Sequence, residues 1–259
     1  MNRILIVEDN KTLAKLIAKK ISNTLNYEVD VAYSMQEAKL FLSKYSYFIS
    51  LLDMNLPDAP NGEIVDFALL KGQHVIVLSA NIDKDFRKQM LSKSIIDYVN
   101  KRGVEDIHYI IQSIQRLEKN QEHTILLVDD SMVIRKQMKT LLENMYFKVI
   151  AVAHGEEALG MLNPKISLVL TDYNMPVMNG LELTQEIRKN YSKKELSIIA
   201  LSSDENDETT ALFLKNGAND YVKKPFSKEE FSCRINNAVE AMENIQIISD
   251  YEIKFDDLN

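Results

Sequence analysis

Predominantly apolar runs alternate with amphipathic segments along the first half of the chain. The runs lie at Ile4–Val7, Val29–Ala32, Phe48–Leu52, Val75–Leu78 and Tyr98–Val99. Between them apolar residues recur at helical spacing, as at Leu13, Leu16, Ile17 and Ile21. Continuous apolar runs are typical of strands that are buried on both faces. Strands that alternate with helices predict a parallel, doubly wound sheet with helices on both faces.

The whole pattern occurs twice. ILIVEDN at Ile4 returns as ILLVDDS at Ile125, and ISLLDMNLP at Ile49 returns as LVLTDYNMP beginning at Leu168. A repeat of about 120 residues indicates two copies of one domain rather than a solenoid. We predict domains at residues 1–119 and 123–245, joined through a helix over 104–119. Residues 246–259 are expected to form a helical extension or a solvated tail.

Composition excludes several classes of protein. The 259 residues carry a net charge of −7 and contain no basic block, which argues against nucleic-acid binding. No apolar run approaches the ~20 residues of a membrane span, and no signal peptide is recognisable, so we expect a cytoplasmic protein without membrane contact. Cys233 is the single cysteine, which excludes an internal disulfide and a multi-cysteine metal site. We expect this side chain to be buried or half-buried.

Acidic residues follow the first and third apolar runs of each copy. Ligands of open parallel sheets bind at the carboxyl ends of the strands, so these acids are expected to converge there. Two like charges ~4 Å apart repel by roughly 4 kcal/mol at an effective dielectric of 20, so the cluster needs a cation. Oxygen ligands favour Mg²⁺, or Mn²⁺ in its place. The acids are Glu8, Asp9 and Asp53 in the first copy and Asp129, Asp130 and Asp172 in the second.

A hydroxyl and an ammonium group join each set of acids. Ser79 and Ser202 follow the fourth run of their copies, and Lys101 and Lys224 follow the fifth. Such a pocket suits a phosphoryl group, with Asp53 or Asp172 as the nucleophile that carries it. Taken singly, each residue is more simply a turn, a cap or a solvated side chain. Their recurrence in the same order in both copies favours a site.

Taken together, these motifs resemble the receiver domain of bacterial two-component response regulators, over about 240 residues. The resemblance includes a proline four residues after the acceptor aspartate, at Pro57 and Pro176, and an aromatic residue three before the lysine, at Tyr98 and Tyr221. It implies two tandem flavodoxin-like domains, each a doubly wound, five-stranded parallel sheet with helices on both faces.

The family's mechanism is implied with it. A histidine kinase or phosphotransfer protein presents phosphohistidine, and Asp53 or Asp172 takes the phosphoryl group with Mg²⁺ bound. The backbone carbonyl of Asn55 or Asn174 is then a further metal ligand. Tyr98 or Tyr221 turns inward as a switch and changes the surface formed by the fourth helix, fifth strand and fifth helix of its domain. An ordinary half-buried strand aromatic is the alternative for each tyrosine.

The two copies differ after the lysine and after the acceptor aspartate. The second reads Lys224-Pro225, where the family bond is usually cis. The first reads Lys101-Arg102, and this bond is expected to be trans because a cis bond before a non-proline residue costs ~3 kcal/mol. The first copy also has an extra residue between its aspartate and the next glycine, and it lacks the Gly-Ala turn of NGANDYV. We expect the second copy to be the better phosphoryl acceptor.

Several alternatives remain at this stage. The chain is expected to be no enzyme beyond its own phosphorylation and dephosphorylation, and to control an output domain or partner protein; a homodimer is left open. It is either complete or the front of a receiver–receiver–diguanylate cyclase protein. An aspartyl-phosphate phosphohydrolase is a rival, although such enzymes use an acid where this chain has Asn55 and Asn174. A scaffold with vestigial sites is the other rival.

Overall fold

A computed structural model describes residues 3–80, 84–101, 103–203 and 207–256. The chain divides into two compact units, residues 1–118 and 119–259. Each unit contains one five-stranded sheet in which every strand pair is parallel. The predicted fold class is therefore confirmed for both halves. The exact domain limits of 119 and 123 stay a prediction.

In the first unit the strands lie in the order β2-β1-β3-β4-β5. The strands are β1 (Arg3–Val7), β2 (Glu28–Ala32), β3 (Ile49–Asp53), β4 (Val75–Ser79) and β5 (Asp97–Asn100). The helices are α1 (Lys11–Thr24), α2 (Met35–Lys44), α3 (Glu63–Leu70), α4 (Lys84–Leu91) and α5 (Val104–Asn120). All five predicted runs are strands, and each observed strand extends the predicted run or shifts it by one residue.

The second unit repeats this topology, with the strand order β7-β6-β8-β9-β10. Its strands are β6 (Thr124–Val128), β7 (Lys148–Val152), β8 (Ile166–Asp172), β9 (Ser197–Ser202) and β10 (Asp220–Lys223). Its helices are α6 (Met132–Asn144), α7 (Gly155–Met161), α8 (Gly180–Arg188), α9 (Asp207–Lys215) and α10 (Lys228–Asp256).

Burial explains why the central strands were readable from the sequence. Every residue of β3, β4 and β9 is buried, because helices cover both faces of each sheet. Polar residues then mark the helix starts. Asn10, Ser34, Ser131 and Asn179 each accept a backbone N–H bond at the start of the following helix, as N-cap residues do.

Strand pairing brings the predicted acids to one edge of each sheet. Val7 pairs with Leu52, so Glu8 and Asp53 are the next residues of neighbouring strands β1 and β3. Val128 pairs with Thr171 in the same way, which places Asp129 beside Asp172. The order of strands in the sequence therefore accounts for the sites described below.

Cys233 is exposed, contrary to the expectation of a buried or half-buried side chain. It lies two residues after buried Phe231 on α10, whose other fully buried positions include Ile235 and Val239. At about 100° per residue, two residues turn the side chain by about 200°, to the opposite face of the helix. The apolar stripe, and not the residue type, decides its burial.

Helix α10 continues through most of the segment for which a helical extension or a tail was predicted. It ends at Asp256, and residues 257–259 lie outside the described part of the chain, as does Arg102 with its predicted trans bond. Lys224-Pro225 is cis. Within the described residues no helix is both long and apolar enough to cross a membrane.

Candidate functional site

The carboxyl end of the first sheet gathers a lysine between two buried acids. The ammonium Nζ of Lys101, just after β5, lies 2.8 Å from Glu8 Oε2 and 2.5 Å from Asp53 Oδ2. Ser79 is the last residue of β4, the strand between β3 and β5, and its backbone carbonyl accepts the backbone N–H of Lys101 at 2.9 Å. The four predicted residues therefore meet at one edge of the sheet.

Backbone groups hold the other oxygen of each acid. Glu8 Oε1 accepts the N–H of Asn10 at 3.2 Å, and Asp53 Oδ1 accepts the N–H of Asn55 at 3.0 Å. Each carboxylate is thus fixed by its own loop on one side and by Lys101 on the other. Side chains that are held in this way lose little freedom when a ligand arrives.

The electrostatics of this pocket reflect crowding among buried charges. Burial, together with the neighbouring Asp53, raises the pKa of Glu8 even though Lys101 opposes the shift. Burial alone would lower the pKa of Lys101, but Asp53 and Glu8 raise it overall, so the ammonium group stays charged. A buried carboxylate whose pKa is raised by burial and by a neighbouring acid marks a candidate site for binding a further positive charge.

The first site fits a divalent cation. One carboxylate oxygen from each of Glu8, Asp9 and Asp53 lies within 4.8 Å of the others. Three carboxylates and one ammonium leave two negative charges, which an ion of charge +2 balances. Oxygen ligands without histidine or cysteine match Mg²⁺ and Mn²⁺. The predicted ligand Asn55 follows Asp53 by two residues, in the loop at the same edge.

The second sheet carries a matching arrangement. Lys224 Nζ lies 2.6 Å from Asp172 Oδ1 and 3.1 Å from Asp129 Oδ2. Asp172 Oδ2 accepts the N–H of Asn174 at 3.0 Å, and the N–H of Lys224 donates to the carbonyl of Ser202 at 2.7 Å. Burial raises the pKa of Asp129. Two acids, a serine and a lysine therefore meet in both domains, with Asp129 in the place of Glu8.

The two sites differ in how closely their acids approach. Asp9 and Asp130 are both exposed, but among the described residues only the first site brings three acidic groups within 4.8 Å of one another. Arg135, which the motif analysis missed, donates from its guanidinium to the backbone carbonyl of Asp129 at 2.5 Å. Ala14 holds the corresponding place in the first domain, so only a comparison of the two copies signals this residue.

Both predicted switch tyrosines are buried, not half-buried as the alternative supposed. Tyr98 is 4% exposed, and the guanidinium of Arg87 lies 5.6 Å from its ring centroid. Tyr221 is 8% exposed, and its ring centroid lies 6.0 Å from that of Phe213. The two rings therefore have different neighbours on α4 and α9.

The loops after the acceptor aspartates differ most. In the first domain the loop, which is one residue longer, forms a tight turn in which the backbones of Leu56 and Ala59 form a β-bridge. The Asp58 carboxylate in this turn accepts hydrogen bonds from the start of α2. In the second domain Val177 follows the proline with φ 70°, a rare conformation for a β-branched residue. The extra residue was visible in the sequence, but the contact that Asp58 makes was not.

Comparisons with known proteins identify the family of this chain. The family model described as the response regulator receiver domain matches residues 4–112 and again residues 125–236. The chain belongs to this family. It is a tandem pair of receiver domains of two-component signalling, and acidic clusters such as Glu8, Asp9 and Asp53 are typical of the receiver phosphorylation site.

Similar proteins cover different shares of this chain. The response regulator SaeR of Staphylococcus aureus is 33% identical over 134 residues, which are 52% of this chain and 58% of SaeR. Two solved structures described as two-component system response regulator/GGDEF domain proteins are 36% and 35% identical, with TM-scores of 0.81 and 0.80. Each covers 94% of this chain and 100% of its own chain. The tandem receiver arrangement is thus shared along nearly the whole chain.

Proposed function

We propose that each receiver domain accepts a phosphoryl group, on Asp53 in the first domain and on Asp172 in the second. The observation that carries this proposal is the lysine ammonium beside each acceptor, at 2.5 Å and 2.6 Å, with a second buried acid on its other side. The donor is a phosphohistidine of a histidine kinase or phosphotransfer protein. An aspartate oxygen forms a bond to phosphorus as the bond from phosphorus to the histidine nitrogen breaks.

The residues of each pocket have separate roles in this transfer. Bound Mg²⁺ supplies positive charge beside the phosphoryl oxygens. Glu8, Asp9, Asp53 and the Asn55 carbonyl hold it in the first domain, and Asp129, Asp130, Asp172 and the Asn174 carbonyl hold it in the second. Lys101 or Lys224 then pairs with the phosphoryl oxygens that replace part of its contact with the acceptor. Ser79 or Ser202 donates a hydroxyl hydrogen bond.

The readout of phosphorylation is a shift between two conformations. The serine moves toward the phosphoryl group, and the buried position of Tyr98 or Tyr221 behind it is stabilised. Because each tyrosine lies on the last strand of its sheet, the shift changes the surface of that strand and its neighbouring helices. In the first domain these are α4, β5 and α5, and in the second α9, β10 and α10.

An output domain is the proposed recipient of the signal. The similar structures come from proteins described as response regulator/GGDEF proteins, which supports a receiver–receiver–diguanylate cyclase arrangement in this protein. A partner protein that binds the switched surface is the alternative. A phosphohydrolase is disfavoured because Asn55 and Asn174 cannot act as the general acid; sustained turnover of a phosphate ester would revive it.

Acetyl phosphate labelling tests the assignment. With Mg²⁺ present, we expect Asp53→Ala to keep most of the label, Asp172→Ala to keep the smaller part, and the double variant to keep none. Asp66→Ala, which removes an exposed acid on α3, is the matched control and should label like the parent. Label in the double variant would contradict the acceptor assignment. Equal label in the two single variants would contradict the greater activity of the second domain.

A further inference from the structure

The loop after Asp53 is tied to α2 by a single carboxylate. Asp58 Oδ1 accepts the N–H of Met35 at 2.9 Å, and Oδ2 accepts the N–H of Gln36 at 3.0 Å. These are the first two N–H groups of α2, which have no partner within the helix. The third, on Glu37, donates to Ser34 Oγ at 3.2 Å. Asp58 therefore completes the cap of a helix that lies 22 and 23 residues earlier in the chain.

Electrostatics favour the ionised form of this carboxylate. The two backbone N–H groups lower the pKa of Asp58, with the Met35 bond contributing most. The positive end of the helix dipole acts in the same direction. Asp58 is exposed, so its bonds compete with water. These two hydrogen bonds therefore fix the orientation of the loop more than they stabilise it.

A short, conformationally restricted segment, from Asn55 to Asp58, connects these hydrogen bonds to the proposed phosphorylation site. Only Leu56 and Pro57 separate Asn55 from Asp58, and proline fixes its own φ angle. Leu56 and Ala59 exchange backbone hydrogen bonds of 3.3 Å and 3.0 Å across the turn. The N–H of Asn55 in turn donates to Asp53 Oδ1. Displacement of Asp58 would thus be passed to the backbone of Asn55.

The second domain holds the corresponding loop differently. Val177, the residue after its proline, is exposed, and its side chain has no group that can accept a hydrogen bond from α7. The N-cap residue of α7, His154, makes no side-chain capping bond. Met178 instead packs so closely on Gly155 that a Cβ there would come within 2.8 Å of the Met178 sulfur. Of these two loops, only the one in the first domain is therefore joined by a carboxylate to the second helix of its domain.

We propose that Asp58 is a positioning residue of the first receiver domain, which holds the Asn55 backbone where its carbonyl can bind the divalent cation. The part that concerns the cation rests on the proposed function. The part that concerns the loop does not. Asp58 itself touches neither the cation nor the phosphoryl group. Its effect on the site passes through the turn from Leu56 to Ala59.

Mg²⁺ titration of the full chain tests this role. An Asp172→Ala background limits the response to the first site, and the backbone amide signals of Asn10 and Asn55 report binding by NMR. Asp58→Ala removes both hydrogen bonds to α2 and should weaken Mg²⁺ affinity about fivefold. Asp58→Asn keeps one acceptor oxygen and should recover part of the loss. Asp66→Ala removes an exposed acid from the same domain and should leave the affinity unchanged.

Amide hydrogen exchange separates this inference from the proposed function. In Asp58→Ala the amides of Leu56 and Ala59 should exchange several times faster than in the parent. Unchanged exchange would overturn the inference, and so would faster exchange with unchanged Mg²⁺ affinity. If the Asp172→Ala parent binds no Mg²⁺, the proposed metal role of the first site fails, and exchange alone decides whether Asp58 positions the loop. Should Asp58→Ala fail to fold, Asp58→Asn provides the same comparison.

Discussion

At the scale of single residues, Ser50 stands out as a buried hydroxyl in the middle of β3. Its side chain is fully buried, and its Oγ has no hydrogen-bond partner among the described residues. The second domain has Val169 at the corresponding position, which is also fully buried. A buried hydroxyl without a partner costs about 1–3 kcal/mol. The first domain therefore carries a small, correctable loss of stability.

Replacing this serine should stabilise the first domain. We expect Ser50→Ala to raise its free energy of unfolding by about 1 kcal/mol, because the desolvated hydroxyl is removed and almost no volume is lost. Native-state hydrogen exchange of the β3 amides measures this quantity. Thr184→Val is the control, since its buried hydroxyl donates to the Gly180 carbonyl at 2.7 Å. That substitution should give the second domain no gain; a loss of stability in Ser50→Ala would refute the prediction.

The sequence predicted the roles of residues that belong to a motif present in both copies. It did not predict the roles of residues that occur in one copy only. Asp53, Lys101 and their counterparts could be found because strand order alone places strand ends side by side. Arg135 and Asp58 could not, because their partners are backbone groups whose positions depend on loop geometry. The burial of Cys233 was predicted wrongly from residue type, whereas its position relative to Phe231 on the helix decides its exposure.

At the scale of elements, α8 begins almost in contact with the strand that carries Asp172. A Cβ built on Gly180 would lie 2.2 Å from the Asp172 carbonyl oxygen and 3.1 Å from Thr171 Oγ1. Backbone cannot yield as a flexible side chain does, so only glycine fits at this start of the helix. The close approach fixes α8 against β8 directly behind the acceptor.

A methyl group at this position should therefore destabilise the second domain. We expect Gly180→Ala to lower its free energy of unfolding by at least about 2 kcal/mol, through forced displacement of α8. Gly160→Ala on α7 is the matched control, because nothing lies within 4 Å of its added Cβ. It should be neutral or stabilise by up to about 1 kcal/mol. Urea unfolding measures both, and equal midpoints for the two variants would contradict the argument.

At the scale of the whole molecule, the chain passes from one unit to the next within a helix. Five apolar residues of α5 are buried, namely Ile107, Ile110, Ile111, Ile114 and Leu117. Its last residue, Asn120, is fully buried but belongs to the second unit. There it donates to the Met145 carbonyl at 2.9 Å and to Asn236 Oδ1 at 3.3 Å. The predicted domain limits left Asn120 outside both domains, because a single polar residue gives no sign of being buried.

The start of the second domain can be tested through this residue. Asn120→Ala should lower the free energy of unfolding of the second domain by about 1–3 kcal/mol, because the Met145 carbonyl and Asn236 lose their partner. A fragment that begins at residue 119 should likewise be more stable to urea than one that begins at 123. Asn237→Ala, at an exposed position on α10, is the control. Equal stability of the two fragments would support the boundary predicted at 123.

Helix α10 has a mechanical consequence of its own. Glu243, four residues beyond buried Val239, is still held by His123 Nε2 at 2.8 Å, and 13 further residues reach Asp256. At 1.5 Å per residue these 13 residues form an arm of about 20 Å. A tilt of about 10° at Glu243 would move the far end of this arm by about 3–4 Å. Motion too small to disturb the packing around β10 would thus produce a displacement larger than half a helical turn.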